Sequence, residues 1–309
     1  MNKTATLGSC MLCGASQFEI LVPDHMLLPD QASVLKCQNC NLVFLGSLEC
    51  KNEIQKEEAT YWDSEDQKNI YMDQKIQATF VKEFEDRLDA IERLTARVGR
   101  LLDVGCGVGH FLATARKRGW EVEGLDISHA ASTVAERVYG FKVHVGTLEH
   151  ASLPKEGFDV VALWDVIEHI RKPIENLKAA NQILREGGIL AIKTPNEAGL
   201  FKQLVLGLYR TFGRPAAFLL KYVYYIPHYY SYTRKSLDLL LRRSGFEMAR
   251  YEMDVTSREF AAEKIKVHYK NDSKHSWIIT FLPLVYFFSK LLRKGNKMIV
   301  YARKVRTVT

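Results

Sequence analysis

The chain has 309 residues, 47% of them hydrophobic and 26% charged, which suits one large domain with a small appendage and excludes a disordered, collagen-like or disulfide-framework protein. Its net charge of +7 is unevenly spread, because residues 1–192 carry 21 basic and 28 acidic side chains, whereas residues 193–309 carry 22 and 8. The basic half predicts an anionic partner (a membrane surface, a phosphate-bearing substrate or nucleic acid), with a merely solvated basic surface as the alternative.

Two pairs of cysteines mark residues 1–45 as a small module. They are the C-x-x-C pairs Cys10 and Cys13, and Cys37 and Cys40. Because no apolar secretory segment opens the chain, we expect a cytoplasmic protein, whose reduced thiols favour metal over disulfides. Gly14 and Asn41 follow the second thiol of each pair, where a left-handed backbone is often needed. Two such turns facing each other make a tetrahedral four-cysteine site, which predicts a structural Zn2+ with no open coordination position.

A charged segment, residues 46–95, follows the module. Its apolar side chains recur at spacings of three and four residues, at Phe80, Phe84, Leu88, Ile91 and Leu94. This period predicts an amphipathic helix that links the module to a large domain formed by residues 96–309.

Short apolar strands alternate with helices from Arg100 onward. We predict strands at 101–104, 121–125, 141–145, 158–163 and 189–193, with Gly187-Gly188 closing the helix before the last of them. A helix at 236–244 and strands from Phe246 and at 298–302 follow. The alternation predicts an α/β fold in which a doubly wound, mostly parallel sheet is covered by helices on both faces.

A glycine loop follows the first of these strands, in the run Leu102-Asp103-Val104-Gly105-Cys106-Gly107-Val108-Gly109. Glycines let the backbone pass close to a ligand, and the helix that begins next offers free N–H groups to a carboxylate. His110 follows the third glycine, and the dinucleotide pattern G-x-G-x-x-G is absent. Asp126, at the end of the next strand, is placed to accept hydrogen bonds from two ribose hydroxyls.

With three further segments, this loop resembles the class I S-adenosylmethionine (SAM)-dependent methyltransferases over roughly residues 98–309. The segments are Gly124-Leu125-Asp126-Ile127-Ser128, FDVVALWDVIEHI at 158–170, and Leu184-Arg185-Glu186-Gly187-Gly188. The D-V-I-E-H-I stretch is similar to the branch that includes ubiquinone-pathway O-methyltransferases and many sugar or polyketide methyltransferases. The resemblance implies a seven-stranded Rossmann-like sheet, and a Rossmann-like domain for another nucleotide is the alternative. Several methyltransferases that act on sugars begin with a similar zinc module.

The resemblance also implies where SAM binds. The glycines would line its methionine end, Asp126 would hold the ribose, Thr147 and Leu148 would contact the adenine, and Trp164 and Asp165 would lie beside the sulfonium. The full implied set is Asp103, Gly105, Gly107, Gly109, Asp126, Ile127, Thr147, Leu148, Trp164 and Asp165.

Two histidines are candidates for the catalytic base. His169 follows the fourth strand, and imidazole can accept a proton near neutral pH. The alternative is that Glu168 and His169 only brace the helix there. His228, in Pro-His-Tyr-Tyr-Ser-Tyr, matches a related family position near the substrate pocket, and its alternative is an ordinary loop histidine.

The acceptor class is narrowed by Leu163-Trp164-Asp165-Val166. Methyltransferases of base amino groups usually carry Asn/Asp-Pro-Pro-aromatic at this place, so an exocyclic base nitrogen and a nucleic-acid partner are disfavoured. We expect methyl transfer to an oxygen or carbon of a small or lipid-linked metabolite, such as a glycan or quinone precursor. An RNA methyltransferase that uses the zinc module and the basic half is the enzymatic alternative, and a non-catalytic SAM-binding scaffold is the other.

Two apolar insertions, 198–226 and 275–294, complete the sequence pattern. The second is too short to span a bilayer, is interrupted by Pro283 and ends in Lys290, Arg293 and Lys294. Basic and aromatic residues at the edge of an apolar face are typical of a membrane interface. We therefore predict peripheral contact with the cytoplasmic face of an anionic membrane, with a dimer contact or a lid over the substrate as alternatives. The oligomeric state is left open.

Overall fold

The structure is a computed structural model that describes residues 4–5, 8–23, 33–46, 74–224, 228–256 and 276–308. The first part of the predicted linker, residues 47–73, lies outside the described residues. So do residues 225–227 and 275 at the edges of the two predicted insertions. Part of the membrane prediction also lies outside the description, because the side chains of these residues are not described: Trp277, Ile278, Ile279, Phe281 and Leu282.

The described residues form two sheets and their flanking helices. The strands are β1 (Thr4–Ala5), β2 (Phe18–Val22), β3 (Val34–Cys37), β4 (Val43–Leu45), β5 (Arg100–Val104), β6 (Glu121–Asp126), β7 (Lys142–Val145), β8 (Phe158–Trp164), β9 (Leu184–Pro195), β10 (Tyr230–Ser231), β11 (Phe246–Asp254) and β12 (Lys297–Lys304). The α-helices are α1 (Gln74–Thr95), α2 (His110–Lys117), α3 (His129–Tyr139), α4 (Pro173–Ile183), α5 (Leu200–Phe212), α6 (Arg234–Arg243) and α7 (Ser276–Leu291). Two 3-10 segments span Ile167–His169 and Arg214–Tyr222.

The large sheet has the strand order β11-β12-β9-β8-β5-β6-β7. The five strands from β9 to β7 are parallel, and β12 runs antiparallel to both β9 and β11. Side chains of α1 and α2, such as Leu88 and Phe111, pack on one face, and side chains of α4 and α6, such as Leu177 and Leu240, pack on the other. The predicted seven-stranded, mostly parallel, doubly wound sheet is confirmed.

The strand predicted at 189–193 is much longer in the structure. Helix α4 ends at Ile183, and β9 begins at once with Leu184, which pairs with Phe158 of β8. Contrary to the prediction, Gly187-Gly188 therefore does not close a helix. The register between β8 and β9 shifts just after this pair, and Gly187 has φ +71°. These glycines serve a bulge at the strand entry, where a side chain would be strained.

The small sheet is not built from residues 1–45 alone. Its order is β1-β2-β3-β4-β10, and its last strand comes from the second half of the chain. In this pairing, Tyr230 lies opposite Phe44 and Ser231 opposite Val43. The N-terminal module is thus joined by backbone pairing to the segment that follows His228.

The predicted apolar insertions form helices near the carboxyl-terminal ends of the parallel strands of the large sheet. Helix α5 begins just after β9 and packs against α7, which contains Pro283. The Leu200 N–H donates to the carbonyl of Lys294 at 3.0 Å and joins the start of α5 to the loop after α7. Among the helices described, none combines the length and apolar character that crossing a membrane requires.

Candidate functional site

The glycine loop lies between β5 and α2 and bends through left-handed backbone. Gly105, Gly107 and Gly109 have φ of +72°, +52° and +88°. The Gly105 N–H donates to the Leu125 carbonyl at 2.7 Å, and a Cβ on Gly105 would lie 2.4 Å from Cγ2 of Val166. The loop therefore passes so close to its neighbours that only glycine fits at position 105.

Asp126 ends β6 directly beside this loop. Its Oδ2 accepts the Gly107 N–H at 2.7 Å, and its Oδ1 accepts the Ser128 N–H at 2.8 Å. Burial raises the pKa of this carboxyl, and the backbone donors work against that rise. A carboxylate has about four lone-pair directions, so each oxygen retains room for one further donor. Asp126 can thus hold the loop and a ligand diol together.

Asp103 lies on β5 and is buried. Its Oδ1 has no hydrogen-bond partner among the described residues. Burial and the nearby Asp126 raise its pKa well above the ordinary value. An unpaired buried carboxyl oxygen is costly, typically about 1–3 kcal/mol or more for a charged group. The site therefore suits a ligand that brings a cationic donor, as the ammonium group of SAM does.

The positions assigned to the adenine lie next to Asp126. The Gly146 N–H donates to the Asp126 carbonyl at 2.8 Å and brings the segment after β7 to this point. Leu148 is buried, and Thr147 lies within hydrogen-bond distance of His150, with Oγ1 and Nδ1 2.8 Å apart. Ile127 exposes 49% of its surface, which leaves an apolar side chain open to a flat ring.

Trp164 and Asp165 lie where β8 ends, and a charged network surrounds them. Asp165 is ion-paired with Lys297 and lies 3.7 Å from Lys193 Nζ. Burial opposes ionisation of Asp165, but Lys297 and Lys193 outweigh it and hold the pKa of this carboxyl below its ordinary value. The Arg87 guanidinium lies 5.0 Å from the centre of the Trp164 ring. None of these three cations, Lys297, Lys193 and Arg87, is predicted from the sequence as part of the site.

Glu168, His169 and His228 meet beside this network. The imidazole centres of His169 and His228 are 4.7 Å apart, and the rings are nearly perpendicular. One ligand atom from each of the three residues lies within 4.8 Å of the others, so the group could hold a metal ion or pass a proton. Burial, followed by the charge of His169, lowers the pKa of His228 well below its ordinary value. His228 is therefore neutral near pH 7.

Glu168 makes a contact that fits the bracing role, whereas the role of His169 as a base stays a prediction. Glu168 is fully buried, and its Oε2 accepts the Thr194 hydroxyl of β9 at 2.8 Å. It therefore braces the 3-10 segment against the sheet. Its Oε1, the Trp164 Nε1 and the Tyr232 hydroxyl are buried without a partner among the described residues. Such groups usually have a partner in a ligand or in an ordered water molecule.

The four cysteines of the small sheet come together as predicted. Cys10 Sγ lies 3.7 Å from Cys40 Sγ, and Cys13 Sγ lies 3.5 Å from Cys37 Sγ. All four sulfurs lie within 4.8 Å of one another, and a tetrahedron with Zn–S bonds near 2.3 Å has edges of roughly 3.8 Å. Both turns that carry them have the left-handed residue that we expected, with φ +76° at Gly14 and +61° at Asn41. The donor set and spacing fit a Zn2+ ion.

Known sequences match most of the large-sheet region. A family described as a methyltransferase domain matches residues 72–251. A ubiquinone biosynthesis O-methyltransferase of Hahella chejuensis is 35% identical over 118 residues, which is 36% of this chain and 49% of that protein. Another from Hydrogenovibrio crunogenus is 27% identical over 158 residues, 48% of this chain and 61% of that protein. The chain thus spans about half the length of the curated relatives it matches.

Solved structures share the fold. The geranyl diphosphate C-methyltransferase of Streptomyces coelicolor has a TM-score of 0.55 at 14% identity and covers 82% of this chain and 98% of its own. A putative sarcosine dimethylglycine methyltransferase from Galdieria sulphuraria has a TM-score of 0.51 at 15% identity, with 74% and 86% covered. At these identities the likeness supports the architecture alone.

Proposed function

This chain belongs to the class I SAM-dependent methyltransferases, and we propose that it methylates an oxygen or carbon of a small or lipid-linked metabolite, such as a glycan or quinone precursor. The observation that best supports this proposal is that three features lie where the parallel strands of the large sheet end. They are the glycine loop with Asp126, the histidine pair, and buried polar atoms that lack a protein partner among the described residues.

In this proposal the cofactor lies along the ends of β5, β6 and β8. When bound, SAM supplies an electrophilic methyl group on its sulfonium. Asp103 pairs with the ammonium group, Asp126 accepts the ribose hydroxyls, and Ile127, Thr147 and Leu148 surround the adenine. Trp164 and Asp165 bound the end where the methyl group is delivered, and their ion pairs and ring contacts keep that end rigid. Orientation of acceptor and methyl group would contribute most of the rate enhancement.

His169 and His228 would take the proton from the acceptor. Both rings lie beside Glu168, and the half-buried His228 is neutral, which leaves one of its ring nitrogens with a lone pair that can take a proton. Glu168 is a positioning residue in this scheme, because Thr194 fixes one of its oxygens. The ubiquinone biosynthesis O-methyltransferases among the relatives support a hydroxyl acceptor.

We also propose that the four cysteines of the N-terminal module bind one structural zinc ion. Four thiolates complete a tetrahedral shell, which leaves no position for a substrate. The module would then serve to hold the adjoining strand β10, and with it the segment around His228. The two predicted boundaries stay predictions: residue 45 between the module and the linker, and residue 95 between the linker and the large domain.

The acceptor class can be tested by methyl transfer from labelled SAM to lipid, glycan and RNA fractions of a cell extract. We expect label in the lipid or glycan fraction with the wild-type protein and none with Asp126→Ala. Label that appears only in RNA would overturn the proposed acceptor. No label in any fraction, with SAM binding intact, would favour a non-catalytic scaffold.

His169→Ala and His228→Ala should each lower turnover by about a hundredfold or more, the usual contribution of a general base. SAM affinity should stay within about threefold of wild type, because the residues that we assign to the cofactor remain in place. Single-turnover kinetics and calorimetry measure the two quantities. His144→Ala, on the edge strand β7, is the matched control, and we expect no more than about a twofold change. Normal turnover in both variants would place the base elsewhere.

A further inference from the structure

Exposed apolar side chains are concentrated on α5 and α7. Nine of the sixteen large hydrophobic residues that are exposed in the described chain lie on these helices and the residues just after them. They are Leu204, Leu208, Phe212, Phe218, Leu284, Phe287, Phe288, Leu291 and Leu292. We name this set the apolar face. Exposed apolar patches of this kind usually mark an interface.

The spacing of these residues shows that each helix presents one stripe. Leu204, Leu208 and Phe212 follow one another every four residues along α5. Leu284, Phe287, Phe288 and Leu291 are spaced by three and four along α7. The two helices pack together, so the stripes lie on neighbouring helices. A shallow, open apolar recess also lies on the face. Its lining residues are Leu208, Phe212, Pro215, Ala216, Phe218 and Leu219.

The two segments that carry the face contain charges of one sign only. Residues 198–226 and 276–294 contain no Asp or Glu, and together they contain seven Lys and Arg residues. Five of these seven are exposed, namely Arg210, Arg214, Lys290, Arg293 and Lys294, and Arg210 is ion-paired with Glu19. Pairing of this face with a second copy of itself would bring these cations together. A surface that is apolar inside and anionic outside is the better complement.

The apolar face begins beside the candidate acceptor site. Lys202, in the first turn of α5, donates to Glu197 at 2.8 Å and to the Ser231 hydroxyl at 2.6 Å. Ser231 lies three residues after His228, on β10. One end of the face is therefore anchored to the segment that carries the acceptor-site histidine.

We propose that the apolar face docks this enzyme on an anionic lipid surface. Leucine and phenylalanine side chains enter the interface between headgroups and acyl chains, and the exposed cations pair with lipid phosphates. Docking rests on the proposed function in one respect. The docked enzyme would receive a lipid-linked acceptor at the histidine pair without extracting that acceptor fully from the membrane. Docking itself requires neither SAM nor acceptor.

Flotation with vesicles tests the docking. We expect the purified full chain to float with phosphatidylcholine vesicles that contain phosphatidylglycerol, and to remain unbound with phosphatidylcholine alone or at high salt. Arg293→Glu/Lys294→Glu should weaken partitioning roughly tenfold or more, as should Phe287→Gln/Leu291→Gln. Arg137→Glu/Lys155→Glu makes the same charge change at exposed sites away from the face and should float like wild type. SAM affinity, measured on every variant, shows that the fold is retained.

Three results would overturn the docking proposal. One is a wild-type protein that does not float with anionic vesicles. Another is a dimer in which hydrogen exchange is protected at residues 284–292, which would assign the face to a second copy. The last is equal flotation of the face variants and the control. Methyl transfer to the extracted acceptor is assayed without vesicles, so a protein that does not float can still have the proposed function. Likewise, a protein that floats but transfers no methyl group would contradict the proposed function and not the docking.

Discussion

Asp126→Ala is expected to weaken SAM binding by at least about a hundredfold. The substitution removes the two ribose hydrogen bonds that we assign to the carboxylate, and hydrogen bonds to charged groups are worth about 1.5–3 kcal/mol each. It also releases the Gly107 N–H and the Ser128 N–H, which Asp126 now holds at 2.7 and 2.8 Å. Isothermal calorimetry with SAM measures the loss. Asp238→Ala, which removes only a surface ion pair with Arg242, is the carboxylate control.

Gly105→Ala probes the same site through shape instead of charge. The added Cβ would meet Val166 at 2.4 Å in a backbone with φ +72°. Gly140→Ala separates the two effects, because Gly140 has φ +68° and no atom within 4 Å of the added Cβ. We expect both variants to lose about 1 kcal/mol of stability from backbone strain, and only Gly105→Ala to lose SAM affinity. Unchanged SAM affinity in both Gly105→Ala and Asp126→Ala would refute the cofactor-site assignment.

Removal of the proposed zinc ion should have the second large effect. We expect about one zinc per chain by elemental analysis, and none in Cys37→Ser/Cys40→Ser. Structural zinc sites in small modules are worth roughly 10–16 kcal/mol, so the N-terminal sheet should unfold without the metal. Cys106→Ala removes a buried thiol that lies far from the cluster in sequence and beside the other sheet, and it should retain zinc.

Loss of the zinc should disturb the structure of the acceptor site and leave the cofactor site intact. Strand β4 pairs with β10, and the Leu45 N–H donates to the Tyr229 carbonyl at 3.2 Å, one residue from His228. We therefore expect turnover to fall at least about tenfold in Cys37→Ser/Cys40→Ser, with SAM affinity within about threefold of wild type. A folded, metal-free protein with normal turnover would contradict both the zinc site and its coupling to His228.

Much of this protein can be predicted from the sequence because the determining features are local. A strand, a glycine turn and a helix start are each read within a few residues, so the loop at 102–109 and its neighbour Asp126 were predictable. The same is true of the C-x-x-C turns, whose left-handed positions at Gly14 and Asn41 follow from the turn itself. Helix and strand periods then predict the doubly wound sheet, apart from the bulge at Gly187-Gly188.

Only the tertiary structure decided which distant residues meet. Lys297 pairs with Asp165 although 132 residues separate them, and Thr194 holds Glu168 from the neighbouring strand. Two residues, Tyr230 and Ser231, complete the sheet of a module that begins more than 200 positions earlier. Such contacts depend on strand order and on the burial of charges whose partners must be present in the fold. No local pattern records them, because the same lysine, threonine or tyrosine would be equally stable on an exposed surface.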